Sequence, residues 1–394
     1  VPGYGDSEPA VWQAPDTNRV VVSRLDLTNF RTYASARIET GGSPVVLTGP
    51  NGSGKTNLLE ALSFLAPGRG LRRARLAEID RQGAEAPWAV AARLHGPEGE
   101  VTIGTGRESG PDAGDRRVVR IDGQGVKGQA ALARHLNLVW LTPQMDRLFQ
   151  EGAAPRRRFL DRLVFGFDAD HAHRLAAYDL ALRTRARLLR EGSRDAKWLS
   201  LLEETMARDG IAIAAARLDI VQRLDEAAAA LADAAFPVPG LGLLCETEAL
   251  LARMPAVEAE AALAGALAAG RRLDAETGGA SAGPHRADFA VRHRAKDRPA
   301  PECSTGEQKA LLIAIVLAHA RLQASLRGVL PILLLDEVAA HLDRSRRRAL
   351  FDGLRDLGGQ AWLTGSDPEA FEDLRHDAHF FVVSEGRVMP AGPV

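Results

Sequence analysis

The stretch Gly49-Pro50-Asn51-Gly52-Ser53-Gly54-Lys55-Thr56 constrains this chain more than any other. It satisfies G-x-x-x-x-G-K-[ST], a pattern that works only where a strand feeds a glycine-rich turn and a helix follows. Both neighbours are present. Val45-Val46-Leu47 reads as a buried strand, and Leu58, Leu59, Leu62 and Leu65 recur at helical spacing until Pro67-Gly68 stops the pattern. Glycines without side chains let backbone N–H groups converge on phosphate oxygens, and the helix N-terminus adds the positive end of its dipole. Gly49 through Thr56 are therefore candidate nucleotide contacts. Lys55 would reach the β- and γ-phosphates as a catalytic residue, and the Thr56 hydroxyl would hold Mg²⁺. The bland alternative, a chance glycine-rich turn, does not account for the correct flanks.

Two further stretches narrow the chemistry. Ile332-Leu333-Leu334-Leu335-Asp336-Glu337 is an apolar strand ending in two acids. Asp336 is a candidate Mg²⁺ ligand, and Glu337 a candidate to orient or deprotonate the attacking water. Alone, this could be any buried strand meeting an acidic turn. Cys303-Ser304-Thr305-Gly306-Glu307-Gln308-Lys309 contains a capping box, Ser304 with Glu307 three residues on, opening an apolar helix. It also resembles the S-x-G-E/Q signature of ABC-type ATPases. That resemblance implies that Ser304, Gly306 and the helix N-terminus bind the γ-phosphate held by an opposite subunit, so that ATP joins a homodimer. Gln144 falls where such proteins place a loop glutamine that links Mg²⁺ to the helical lobe. Ala340-His341-Leu342-Asp343 looks like the loop that crosses the dimer seam, its plain alternative being a solvated helix start. Thr364-Gly365-Ser366-Asp367 stands where many of these ATPases carry a switch histidine, and there is none, which points to slow hydrolysis.

A chain of 394 residues, 45% hydrophobic and 26% charged, has room for two or three packed units of an ordinary globular protein. No apolar run in the sequence approaches membrane-spanning length, which sets an integral membrane protein aside. Residues 1–18 lack periodicity and the basic and apolar regions of a signal peptide, and read as a disordered tail or an expression remnant. The two cysteines, Cys245 and Cys303, are far apart, which suits a reducing cytosol and offers no C-x-x-C metal knuckle. Residues 19–154 are mostly strand-like and carry the phosphate loop, with Asp122-Gly123 as a tight turn. Residues 155–275 turn Ala/Leu/Arg-rich and read as a helical arm broken at Gly192 and Gly210. Residues 276–394 alternate helix and strand again, with helix from Gly306 to about Leu326. The fold class expected is α/β: an ABC-type, SMC-like ATPase head with a split phosphate-loop lobe plus an α-helical arm.

With Leu27-Thr28-Asn29-Phe30-Arg31-Thr32-Tyr33, Arg156-Arg157-Arg158-Phe159-Leu160-Asp161 and Gly283-Pro284-His285-Arg286-Ala287-Asp288, the chain resembles the RecF family from about Leu25 to Val383. The resemblance implies a weak ATPase that binds ATP and Mg²⁺, with Arg31 and Gln308 joining the nucleotide contacts. It implies an ATP-dependent dimer on duplex DNA beside single-stranded gaps, and RecO- and RecR-like partners in loading recombinase. Bacterial cytoplasm, at the nucleoid, is the implied location. Cys303 stands where the family usually has Leu. The formal net charge of −1 requires any DNA contact to use a local patch. Arg69, Arg72, Arg73, Arg75 and Arg81 offer one, and Arg183, Arg185, Arg187 and Arg190 another along the arm, unless they are simply a solvated face. His171 and His173, two apart on a helix, face different ways and make a poor metal pair.

Rival readings fit less well. A transporter subunit has far fewer residues between phosphate loop and signature, and a long coiled-coil ATPase needs heptads for which there is no room. The alternatives retained are an ATP-gated, nuclease-associated switch, or another ABC-type switch acting mainly on a protein partner.

Overall fold

The computed structural model describes residues 18–108, 116–192, 195–230, 235–340 and 342–391. They fall into two compact units, each discontinuous in sequence: Val1–Asp146, Ala234–Phe236 and Val316–Val394 supply the first, Arg147–Asp233 and Pro237–Ile315 the second. Most of the expected tail lies outside the described residues, although Asn18–Arg19 already pairs in parallel with Val329–Leu330.

The first unit holds two six-stranded sheets. One is parallel but for an edge strand, in the order Arg387–Pro390, His379–Ser384, Val45–Thr48, Ala361–Gly365, Ile332–Leu335, Leu138–Leu141. Its four strands from Val45–Thr48 to Leu138–Leu141 are buried along their whole length, which is why they read as unbroken apolar runs. The other sheet is antiparallel: Tyr33–Glu39, Val21–Phe30, Ala89–Gly96, Gly99–Arg107, Arg117–Ile121, Gln124–Val126. Asp122 and Gly123, both at positive φ, make the expected two-residue turn between its last two strands. Helix Lys55–Ser63 contributes to the core of this unit through Leu58, Leu59 and Leu62. Phe30, Phe64 and Trp88 meet there at ring centroids 5.1–6.2 Å apart. Arg117 donates to the Phe64, Ala66 and Gly68 carbonyls just past this helix, placing a cation where the dipole is negative. Burial pulls the Arg117 pKa down to about 9, so it stays charged at neutral pH.

The second unit is built on helices Ala153–Phe165, His171–Arg190 and Ala196–Ala230, with a three-stranded antiparallel sheet of Pro239–Leu244, Asp288–His293 and Arg298–Pro299. Gly192, at φ 68°, does end a helix. Gly210 does not: it lies inside the 35-residue helix, and a Cβ there would sit 3.1 Å from the Tyr178 ring and 3.3 Å from Pro284. It is glycine because other elements press on it, not because the chain turns. The boundaries also differ from the expectation. The second unit begins at Arg147 rather than 155, and residues 276–315, expected in the ATPase lobe, belong with the helices. The cause is pairing, since Asp288–His293 is hydrogen-bonded along its length to Pro239–Leu244.

Helix Thr305–Arg327 is, by length and composition, apolar enough to cross a membrane, contrary to the sequence reading. Two-thirds of its apolar window is buried within the protein, as in the core helix of a folded domain.

Arg185 corrects the reading of the arm. Instead of facing outward with Arg183, Arg187 and Arg190, it is 1% exposed. Its guanidinium donates to Glu203 at 2.9 Å, to Asp274 at 2.8 Å and to the Leu267 carbonyl at 2.6 Å. Three helices are pinned by that one fork. Arg185→Ala leaves Asp274 a buried charge without its cation, and should destabilise the protein by about 3–5 kcal/mol. Arg187→Ala, at an exposed site, should change stability by less than about 0.5 kcal/mol. Urea unfolding of the two variants checks the contrast.

Candidate nucleotide-binding site

Strand Val45–Thr48 ends in the loop, and helix Lys55–Ser63 leaves it. The glycines are required by space as well as by φ. Gly49 has φ 145°, and a Cβ there would meet the Val383 carbonyl oxygen at 2.1 Å. Gly54 has φ 114°, with the Tyr33 hydroxyl 2.7 Å from its Cβ position; that hydroxyl donates to the Gly54 carbonyl at 3.0 Å. Burial raises the Tyr33 pKa, so it remains a protonated donor. Gly52, at φ 80°, has open space on its Cβ side. Pro50 and Asn51 are exposed. Lys55 is 5% exposed and donates to the Gly49 and Pro50 carbonyls at 2.7 and 3.0 Å.

The parallel sheet brings the second motif to the same edge. Ala361–Gly365 lies between Val45–Thr48 and Ile332–Leu335, so the ends of all three strands emerge together. Asp336 Oδ1 accepts from Thr56 Oγ1 at 2.9 Å and from Thr364 Oγ1 at 2.7 Å. Thr364 Oγ1 in turn accepts from the Glu337 backbone N–H at 2.9 Å. Glu337 Oε1 stands 3.7 Å from Lys55 Nζ. Burial raises the Asp336 pKa against the two hydroxyl donors that lower it. Gln144 is exposed in the turn Pro143–Arg147, just beyond strand Leu138–Leu141, whose Leu141 is the register partner of Leu335.

Behind the loop, Glu60 has no exposure although it lies on the phosphate-loop helix. Arg31 grips it with two bonds of 2.9 and 2.7 Å, and Arg72 adds one at 3.1 Å. Arg31 sits at φ 53° in the two-residue turn joining Val21–Phe30 to Tyr33–Glu39, which aims its fork at Glu60. Arg31, expected among the nucleotide contacts, here holds the phosphate-loop helix. Glu60 lies outside every motif stretch, although an acid in the middle of an otherwise apolar helix marks it, and Tyr33 and Thr364 stand in such stretches with no individual role legible there.

Ser304, Gly306 and Gln308 lie in the second unit. Ser304 is exposed, and its box with Glu307 forms: the Ser304 N–H donates to Glu307 Oε2 at 2.9 Å and the Glu307 N–H to Ser304 Oγ at 3.4 Å. The ion pair with Lys296 and the Ser304 donors hold the Glu307 carboxyl down at about 2. Gln308 is wholly buried, its amide N–H donating to the Cys303 carbonyl at 2.8 Å and shaping the loop before the helix, while its Oε1 has no hydrogen-bond partner. His341 lies outside the described residues, and Asp343 caps helix Arg344–Leu357 by accepting from the Arg346 N–H, as a helix start requires. The remaining motifs fold on one another. Arg156 forks onto Asp288, Arg157 donates to the Ala287 carbonyl, and Arg217 joins Asp161 to the Pro284 carbonyl. His171 is buried against Asp161 and His173 is exposed, so they form no metal pair. His285 accepts from the Tyr178 hydroxyl and donates to the Ala280 carbonyl, a packing role.

The residues present fit a nucleotide and its metal. Within the loop the Ser53 hydroxyl is buried with no hydrogen-bond partner, a polar group that a phosphate oxygen could satisfy. Thr56 and Asp336 offer the hard oxygen ligands that Mg²⁺ takes.

The profile of the RecF/RecN/SMC N-terminal domain family matches residues 21–385. The chain is 50% identical over 370 residues to the DNA replication and repair protein RecF of Mesorhizobium japonicum, covering 94% of this chain and 97% of that one. The chain belongs to the RecF family. Its fold is the ABC-type ATPase head of that family, and its general role is DNA replication and repair. Two solved structures of the recombination mediator protein RecF in the RecFOR pathway share the fold. The ATPrS form has a TM-score of 0.82 at 21% identity, over 95% of this chain and 99% of that one. The ATP form has 0.78 at 22%, over 95% and 100%.

Asp336→Asn gives this site a sign test. A carboxyl whose pKa is raised on folding costs stability above that pKa, and Asn can still accept from both threonines. Its melting temperature without nucleotide should equal that of the wild type or exceed it by up to about 3 °C. The further stabilisation by Mg²⁺-ATP should be lost. Thermal scans with and without Mg²⁺-ATP read both.

Proposed function

We propose that the chain is an ATP-dependent DNA-binding protein of recombinational repair and replication-fork recovery. ATP joins two copies into a clamp on DNA, and slow hydrolysis resets it. The observation that carries this reading is the chain Thr56–Asp336–Thr364–Glu337 beside the unpartnered Ser53 hydroxyl.

The backbone of Gly49 to Thr56 would hold the phosphates, with Lys55 turning from its own loop carbonyls onto the β- and γ-oxygens. Thr56, Asp336 and Gln144 would hold Mg²⁺, which when bound supplies charge neutralisation for the phosphates. Glu337, beside Lys55, would orient a water and accept its proton. Arg31 serves the site through Glu60, and Gln308 through the signature loop. Ser304 and Gly306 of a second copy would complete each site, and the exposure of Ser304 at the head of its helix supports this. The missing histidine after Thr364 supports a weak ATPase that works as a switch.

Exposed Arg69, Arg73 and Arg75, with Arg183, Arg187 and Arg190 on the arm, supply guanidinium groups for backbone contact with duplex beside a gap, whereas Arg72 is bonded to Glu60 and Asn57 and Arg81 is half-buried. Membership of the RecF family supports RecO- and RecR-like partners and action in the bacterial cytoplasm at the nucleoid.

Anisotropy of a labelled gapped duplex, with sedimentation of the protein, tests the clamp. ATP should tighten DNA binding of the wild type by at least about tenfold, the scale of a modest coupling energy. Ser304→Arg should bind ATP as a monomer yet lose both dimerisation and that gain. Dimers of Ser304→Arg at normal affinity would sink the model, as would DNA binding indifferent to salt. Glu337→Gln should close on ATP and stay closed.

A further inference from the structure

Thr364 has no solvent exposure, and its single hydroxyl serves both acids of the site. It donates to Asp336 Oδ1 at 2.7 Å and accepts from the Glu337 N–H at 2.9 Å. Its strand, Ala361–Gly365, is buried throughout and paired on both sides, so the hydroxyl is held by the sheet rather than by a loop.

What it holds is strained. Glu337 is at φ 49°, in the left-handed region that a side chain with a Cβ enters at a cost. Glu337 meets Lys55 only at 3.7 Å, and its N–H bond to Thr364 is the fixed point of the turn that follows Asp336. Without that acceptor the N–H is left unsatisfied, and only the 3.1 Å bond from the Ala340 N–H to the Glu337 carbonyl still opposes relaxation of Glu337 toward negative φ. Such a shift would swing its carboxylate away from Lys55 while leaving the phosphate loop untouched.

We propose that Thr364 is the positioning residue of the hydrolytic step, coupling the metal-side carboxylate of Asp336 to the strained backbone of Glu337. The proposal rests on the ATPase reading above. A threonine here does by a fixed hydroxyl what a mobile side chain from the following loop would do by approach. The loop Gly365-Ser366-Asp367 can therefore lack a histidine while Glu337 stays placed.

Thr364→Val keeps shape and removes the hydroxyl, and Thr364→Ser keeps the hydroxyl. With Mg²⁺ and a fluorescent ATP analogue, Thr364→Val should bind within about threefold of wild type. Its single-turnover hydrolysis should fall by about 10- to 100-fold, the range seen when one preorganised contact is removed. Its ATP-driven dimers should accumulate in sedimentation as those of Glu337→Gln do, and amide exchange around Glu337 should quicken without nucleotide. Thr364→Ser should restore all of these. Wild-type hydrolysis and exchange in Thr364→Val would overturn the role of Thr364 alone. Parallel loss of ATP affinity and rate that Thr364→Ser does not rescue would reduce Thr364 to a packing residue and overturn it too. A wild type that binds no nucleotide would instead overturn the ATPase reading itself.

Discussion

A 2.9 Å hydrogen bond joins Thr56 to Asp336 across 280 residues of chain. Everything the site can do depends on that closure. It is enforced by a parallel sheet in which Ala361–Gly365 spaces the strand before the phosphate loop from the strand before the acids. Because the three are parallel and buried, register cannot slip without exposing apolar side chains or burying polar ones. The desolvation that raises the Asp336 pKa is the cost of this arrangement, a local instability kept where a cation would relieve it.

The second unit solves a different problem, holding charge inside helices. Arg185 and Arg217 are both almost fully buried, each forked onto carboxylates and a backbone carbonyl. Such groups do little for net stability over apolar residues of the same volume, but removing one partner is severe. Arg217 fixes Asp161 and the Pro284 carbonyl together, and Arg156 and Arg157 fix Asp288 and the Ala287 carbonyl. The two family stretches, 156–161 and 283–288, are therefore one structure seen twice in the sequence.

Local pattern made much of this legible. The strands around the phosphate loop and the acids, the turn at Asp122-Gly123 and the capping box at Ser304 all follow from short-range residue types, and the structure agrees with each. What could not be read is non-local. Gly210 looks like a breaker until Tyr178 and Pro284 are seen against it, and Arg185 looks like surface until its two acids arrive from other helices. Thr364 carries no local signal, because the two neighbours its hydroxyl serves meet it only across strands. The extent of the second unit was hidden for the same reason, since pairing between Pro239–Leu244 and Asp288–His293 leaves no mark on composition.

That last pairing bears on how such a chain can be cut or rebuilt. The strand Asp288–His293, which leads toward the signature, takes its hydrogen bonds on one side from Pro239–Leu244. Excising residues 155–275 as a cassette would strip that side bare, leaving a row of unpaired N–H and C=O groups ready to recruit another chain. A minimal head made by simple deletion is thus a candidate for aggregation. The arm is less an attachment than the edge strand of the sheet on which the signature is hung.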